Sequence, residues 1–284
     1  MSRIVYLNGE WLPEADAKVS VFDRGFLFAD AIYEVTGVID GKLLEYDGHA
    51  ARLKRSIGEL GLDLPISASE LLEVHREIIR RNALKEGLIY LQLSRGPADR
   101  DFAFPKDPTP TLVLFTQAKS VIENPKLATG LSVALLPDWR WERRDIKTVQ
   151  LLYPSMAKMQ AMEKGADDAW LVEDGFVTEA SSATAHIIDK TGRLITRPLS
   201  NAILHGITRA SVLDLAEKAG IPYGERAFTP DEAMNASEAF ITSATNFVMP
   251  VTRIDGEPVG DGKPGTLTLK LRELYIADKI ASAI

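Results

Sequence analysis

Between Gln117 and Gly130 the chain carries neither the two-residue alternation of a strand nor the 3.6-residue period of a helix, and Pro125 stands inside the stretch. Periodic segments lie on both sides. The sequence therefore predicts two domains, residues 1–118 and 131–284, joined by a linker at 119–130. A length of 284 residues is near that at which one hydrophobic core divides into two. On the N-terminal side, residues 3–12 read as two short β-runs about Asn8-Gly9, a dipeptide suited to the positive φ angles of a tight hairpin. Helices are predicted from Gly48 to Leu60 and from about Ser69 to Asn82, the second opened by a Ser67/Glu70 capping box. The first places His49, Arg52 and Leu53 on one face. Strand-like runs follow at Leu88 to Arg95 and at Thr111 to Thr116.

Beyond the linker, strands dominate. They are predicted at Leu131 to Leu136, at Ala169 to Val172 and Phe176 to Glu179 around an Asp174-Gly175 turn, at Ala185 to Ile188, and at Ser237 to Thr242 and Val248 to Ile254. Helices are predicted from Pro154 to Lys164, Gly206 to Lys218 and Thr266 to Ala283. The fold class is α/β in the α+β sense, without repeats or heptads.

Charge narrows the function classes. The chain has 33 Lys and Arg against 40 Asp and Glu, a net charge of −7, which argues against a nucleic-acid backbone or an anionic membrane and for small-molecule partners. With no cysteine, disulfides, thiolate nucleophiles and Cys-ligated zinc are excluded, in keeping with a reducing cytosol. The four histidines are scattered without ligand spacing, so no metal is expected. The first apolar run breaks at Asn8, short of a signal peptide or membrane span, and a cytoplasmic location is expected. Dinucleotide, P-loop and serine-elbow motifs are all missing.

Four polar groups near element ends remain. Lys147 lies between Ile146 and an apolar run at 149–152, where partial desolvation favours the neutral amine that an imine requires; the alternative is a surface lysine. Gly206-Ile207-Thr208 opens a helix, where backbone N–H groups and a hydroxyl either bind a phosphate or serve as an ordinary cap. Glu179 ends a β-run beside small residues, placed either to hold a proton on a flat ring or simply to face water. Arg52 points partly inward and needs an anion, which is a protein carboxylate or a ligand phosphate. Taken together, these are the groups that pyridoxal phosphate requires.

The sequence resembles the class IV, or fold-type IV, aminotransferases, and within them the D-amino-acid branch most closely. The matching segments run in order over nearly the whole chain: Arg24-Gly25-Phe26-Leu27-Phe28-Ala29-Asp30-Ala31-Ile32-Tyr33-Glu34-Val35, His49-Ala50-Ala51-Arg52-Leu53, Arg95-Gly96 with Arg100-Asp101, and Asp145-Ile146-Lys147. They continue with Thr178-Glu179-Ala180-Ser181-Ser182, Leu204-His205-Gly206-Ile207-Thr208-Arg209 and Ser243-Ala244-Thr245. The resemblance implies a smaller N-terminal α/β domain, a larger C-terminal pseudo-barrel domain that binds pyridoxal 5′-phosphate, and transamination between a D-amino acid and a 2-oxo acid. It implies that Lys147 carries the Schiff base and moves the proton, Glu179 partners the pyridine nitrogen, and Arg52 binds the phosphate. Ile207 and Thr208, with Ala244 and Thr245 on another side, would also bind the phosphate, and Leu204 would support the ring. Tyr33 and Arg100 would hold the substrate carboxylate, Arg100 reaching in from the partner subunit of a homodimer. Two departures stand out: Phe102 occupies the place of a histidine in the D-specific pattern, and Ala29 and Ala31 flank Asp30 where glycines are usual. Amine transaminases of (R) selectivity, branched-chain aminotransferases and aminodeoxychorismate lyases share the fold and stay open as alternatives.

Overall fold

Asn8 at φ 49° and Gly9 at φ 96° turn strand β1 (Ile4–Leu7) back onto β2 (Glu10–Pro13), with Leu7 opposite Glu10, as the Asn-Gly pair predicts. Then come α1 (Arg24–Phe28), β3 (Ala31–Ile39), β4 (Lys42–Leu43), α2 (Tyr46–Leu60), α3 (Ala68–Arg81), β5 (Gly87–Ser94) and β6 (Thr111–Ala118). The strands form one antiparallel sheet in the order β2-β1-β6-β5-β3-β4. Leu53 of α2 and Leu71, Ile78 and Ile79 of α3 bury against Ile32, Leu91, Leu93, Leu112 and Leu114 of the sheet. Each such side chain contributes about 1.5 to 3 kcal/mol when taken fully out of water. The reciprocal Ser67/Glu70 capping box opens α3 as expected. Strand β3 escapes the sequence reading because it is buried along most of its length and carries Glu34 at its centre, so no alternation shows.

This computed structural model describes residues 2–284, which fall into two compact units. The first runs to Val121 and includes Ile146–Gln150 and Ser282–Ile284; the second comprises Ile122–Asp145 and Leu151–Ala281. Residues 146–150 extend the first sheet: Ile32 pairs with Thr148, the Tyr33 N–H donates to the Lys147 carbonyl at 3.0 Å, and the Val149 N–H donates to the Ala31 carbonyl at 3.1 Å. Backbone bonds to Leu43 secure the C-terminal Ile284 in the same way.

The second unit contains β7 (Leu131–Pro137), α4 (Leu152–Glu163), β8 (Asp168–Glu173), β9 (Phe176–Ala180), β10 (Thr184–Ile188), β11 (Leu194–Thr196), α5 (Ile207–Lys218), β12 (Tyr223–Glu225), α6 (Pro230–Met234), β13 (Glu238–Ser243), β14 (Phe247–Ile254), β15 (Glu257–Pro258) and α7 (Thr266–Ala281). Its mixed sheet follows the path β12-β11-β10-β13-β14-β7-β8-β9, with β15 on β14; the β11/β12, β14/β7 and β7/β8 pairs are parallel. Ala157 and Ala161 let α4 lie close on Ala134, Leu136, Ala169 and Leu171. The Glu238 carboxylate accepts from the Leu267 and Thr268 N–H groups and so caps α7 from a neighbouring strand. The short strands β11 and β12 and the one-turn helix α6 carry too few residues to show a period. No helix among the described residues is long and apolar enough to cross a membrane.

Asp23 caps α1 by accepting from the Gly25 N–H, and the helix stops at Ala29, which adopts the left-handed conformation at φ 55°. That region disfavours any residue with a Cβ. Ala29→Gly should therefore stabilise the protein, by about 0.5 to 1 kcal/mol after the greater entropy of an unfolded glycine is allowed for. Urea unfolding checks this, and a lower midpoint in the variant would contradict it.

Candidate active site

In the first unit, β3 directs alternate side chains to opposite faces. Tyr33 lies on the face away from the helices, stacked on Tyr90 at 5.6 Å between ring centroids, with Tyr90 stacked in turn on Phe115 at 4.8 Å. Lys147 is half-buried beside this row, its Nζ 4.1 Å from the centre of the Tyr33 ring. Because the Lys147 carbonyl is bonded to the Tyr33 backbone, the amine is carried by a strand edge and not by a free loop.

Glu34 points the other way, toward α2. Its carboxylate accepts from Arg52 Nε and Nη2 at 2.7 Å each, and His49 Nδ1 lies 2.8 Å from Oε2. All three side chains are buried. Thus the inward arginine read from helical spacing has found a protein carboxylate. Burial alone would push the Glu34 carboxyl up, but the charge and hydrogen bonds of Arg52, with those of His49, outweigh it and hold the group well below the usual carboxylate range. A paired fork of this kind fixes the plane of the guanidinium.

Asp30 joins two more buried arginines. Arg24 Nε and Arg95 Nε each donate to its Oδ2 at 2.8 Å, while Arg24 Nη1 holds the Asp101 carbonyl at 2.6 Å. The cluster ties down the start of the segment that carries Arg100. Arg100 itself is exposed, its guanidinium 5.6 Å from the Phe28 ring and 5.7 Å from the Phe102 ring, and these two rings meet edge to face. Phe102 is 80% exposed, so this apolar ring is presented to solvent beside the arginine.

The second unit holds the remaining predicted residues. Glu179, near the end of β9, is buried; Arg140 Nη1 donates to its Oε2 at 2.7 Å and the Leu204 N–H to its Oε1 at 3.1 Å. Burial pushes the Glu179 carboxyl up, and Arg140 opposes that shift. The surface-glutamate alternative does not hold here. Arg140 escapes the sequence reading because it lies outside every periodic segment and motif. At Gly206 the chain enters α5 at φ −64° and ψ 129°, and no side chain among the described residues caps this end. A Cβ at Gly206 would meet Thr184 Oγ1 at 2.9 Å and Arg209 Cβ at 3.2 Å, so the chain enters the helix in close contact with these residues. Ala244 and Thr245 form the turn between β13 and β14, with Ser243 Oγ 3.2 Å from Thr245 Oγ1 and accepting from the Asn246 N–H.

Tyr33, Arg52, Lys147, Arg100 and Phe102 thus belong to the first unit, and Glu179, Leu204, Ile207, Thr208, Ala244 and Thr245 to the second. Taken unit by unit, a lysine amine on a strand edge in the first, and a buried carboxylate and a glycine-entered helix start in the second, are of the kinds that pyridoxal 5′-phosphate needs.

Comparison with known proteins gives the same direction. The family model for amino-transferase class IV matches residues 31–254. A D-alanine aminotransferase of Bacillus licheniformis is 41% identical over 266 residues, 93% of each chain, and one of Staphylococcus aureus is 40% identical over 272 residues, 95% of each. Among solved structures, a branched-chain amino acid aminotransferase of Escherichia coli superposes with a TM-score of 0.91 at 20% identity, covering 98% of this chain and 95% of its own, which shows the fold. A branched-chain aminotransferase of the archaeon Thermoproteus uzoniensis, solved with norvaline, gives 0.87 at 27% identity, covering 97% of this chain and 94% of its own.

Removing Glu34 leaves Arg52 buried without this carboxylate. Glu34→Gln should cost about 3 to 5 kcal/mol, the range for breaking a buried ion pair from one side. The sign with pH follows from the depressed carboxyl: its contribution is present above the ordinary value of 4.5 and is lost as pH falls below it. Urea midpoints from pH 7 down to pH 3 should therefore fall more steeply for the wild type than for Glu34→Gln, and parallel curves would contradict the pairing.

Proposed function

This chain belongs to the class IV aminotransferases, and from that premise we propose that it moves an amino group between a D-amino acid such as D-alanine and a 2-oxo acid such as 2-oxoglutarate. The observation that carries the reading is its likeness to D-alanine aminotransferases over more than nine-tenths of both chains. Enzymes of this class depend on pyridoxal 5′-phosphate. When bound, the cofactor supplies an electron sink for the pair left as the substrate's α C–H bond breaks.

Lys147 is the acid and base. Its Nζ would hold the cofactor and, once freed by the substrate amine, would take the α-proton and give it back on the far side of the imine nitrogen. Glu179 would hold a proton on the ring nitrogen of the bound cofactor. Arg52, kept in plane by Glu34, would supply positive charge to the phosphate, and the Ile207 and Thr208 N–H groups would donate to it with the field of α5 behind them. Ala244 and Thr245 would line another side of the phosphate, and Leu204 would support the ring. Tyr33 and Arg100 take the substrate carboxylate, Arg100 coming from the partner subunit of a homodimer. An exposed apolar row on α4, Leu152, Met156, Met159 and Met162, supports burial of that helix in such an assembly. We place the enzyme in the cytoplasm, a reducing compartment suited to a chain without cysteine.

The exposed Phe102 ring favours a second reading, an (R)-selective amine transaminase in which an aryl group rests where a carboxylate would otherwise be held. Arg100 decides between them. A site that pairs a carboxylate with arginine leaves the cation without its anion when a simple amine binds. Arg100→Ala should thus lower kcat/KM for D-alanine by about tenfold to a hundredfold, the worth of a charged hydrogen bond, and spare an (R)-arylalkylamine. Equal loss on both substrates would overturn the assignment of Arg100. Borohydride reduction of the loaded enzyme followed by peptide mapping should label Lys147, and Lys147→Ala should abolish transamination while its circular dichroism is kept. Label on another lysine would contradict the role of Lys147.

A further inference from the structure

Arg140 sits between two buried carboxylates. Asp138 Oδ1 accepts from Arg140 Nε at 2.9 Å and Oδ2 from Nη2 at 2.7 Å, while Nη1 donates to Glu179 Oε2 at 2.7 Å. Asp138 is itself fixed: Thr178 Oγ1 donates to its Oδ2 at 2.6 Å, its own N–H donates to the Val172 carbonyl at 2.8 Å, and its Oδ1 also accepts the Arg140 N–H at 3.1 Å. The fork of the guanidinium is therefore spent on an anchor, and one arm is left to reach Glu179. Such an arrangement orients the carboxylate rather than merely neutralising it.

The surrounding charges do not duplicate this. Arg144 gives its fork to Glu173 at 2.6 and 2.7 Å and comes within 3.7 Å of Asp138 through Nε, and Arg197 donates to the Val177 carbonyl. Two carboxylates thus share the Arg140 cation, and Glu179 Oε1 receives the neutral Leu204 N–H. Glu179 thus has only a share of the Arg140 charge, which leaves room beside it for one more positive charge, and a protonated ring nitrogen would supply it.

We propose that Arg140 is a positioning residue for Glu179: it turns the carboxylate toward the ring nitrogen of bound pyridoxal phosphate and weakens the carboxylate's hold on the proton they share, so that the proton rests on the nitrogen. This rests on the reading that Glu179 partners that nitrogen. Asp138 and Thr178 act one step further out by holding Arg140. Without the guanidinium the carboxylate becomes the stronger base, the proton moves from nitrogen to Oε2 or Oε1, and the ring loses its positive charge.

The test reads the proton directly. Wild type, Arg140→Met, Arg140→Lys and Glu179→Gln are loaded with pyridoxal phosphate labelled with 15N in the ring, and the 15N resonance is followed from pH 6 to pH 9. The wild type should show the pyridinium position throughout. In Arg140→Met the resonance should move toward the neutral-pyridine position across this pH range, because the carboxyl, relieved of an opposite charge worth about 1 to 3 pH units, takes up the shared proton. In Arg140→Lys the resonance should move less, since lysine keeps the charge but cannot hold both carboxylates with a fork. A purely structural Arg140 would alter cofactor affinity and leave the resonance in place, which overturns the proposal. Should the methionine variant fail to fold, a lysine variant that titrates as the wild type does also overturns it. If Glu179→Gln itself leaves the resonance unmoved, the assignment of Glu179 fails, whereas movement there without movement in the Arg140 variants counts against Arg140 alone.

Discussion

A charge taken out of water must be met by an opposite charge or by hydrogen bonds, and this requirement shapes both units of the protein. Arg52 is buried with Glu34, Arg24 and Arg95 with Asp30, and Glu179 and Asp138 with Arg140. Each cluster holds a group assigned to ligand binding or ties down the segment that bears one. Within each unit these side chains are thereby held in place, because a buried ion pair has few alternative arrangements of comparable energy.

The division of labour follows from the backbone. Strand β3 sends Tyr33 to one face and Glu34 to the other, so one strand serves both the row of rings beside Lys147 and the carboxylate that fixes Arg52. In the second unit β9 carries Glu179, and the turn before α5 brings the Leu204 N–H to the same carboxylate. The entry to α5 requires a glycine at position 206, where a side chain would strike Thr184 and Arg209. These are requirements of packing and hydrogen bonding, and they place chemistry-bearing atoms within rigid elements.

Much of this was legible in the sequence, for identifiable reasons. Long amphipathic helices such as α2 and α3 declare themselves by period and caps, and the Asn8-Gly9 hairpin by its turn residues. Lys147, Glu179 and the Gly206 helix start were visible as polar groups at element ends, and the ordered motifs joined them into a family. Partners were not visible. Arg52 lies 18 positions from Glu34 and Arg140 lies 39 from Glu179, separations over which neither helical nor strand periodicity carries information. Strand β3 was hidden by the very glutamate that gives it a role, and Asp138 and Arg140 by their place between elements.

Arg100 lies beside the Phe102 ring, at the surface to which the proposed reading assigns the substrate carboxylate. The most direct measurement is a set of single half-reactions, in which the enzyme loaded with pyridoxal phosphate is mixed in parallel with D-alanine, L-leucine and an (R)-arylalkylamine. Conversion of the cofactor to its amine form is followed by absorbance, and release of the oxo product is followed with it. D-alanine should convert the cofactor fastest and release stoichiometric pyruvate. Faster conversion by L-leucine, or by the amine, would contradict transamination of D-amino acids as the function of this site.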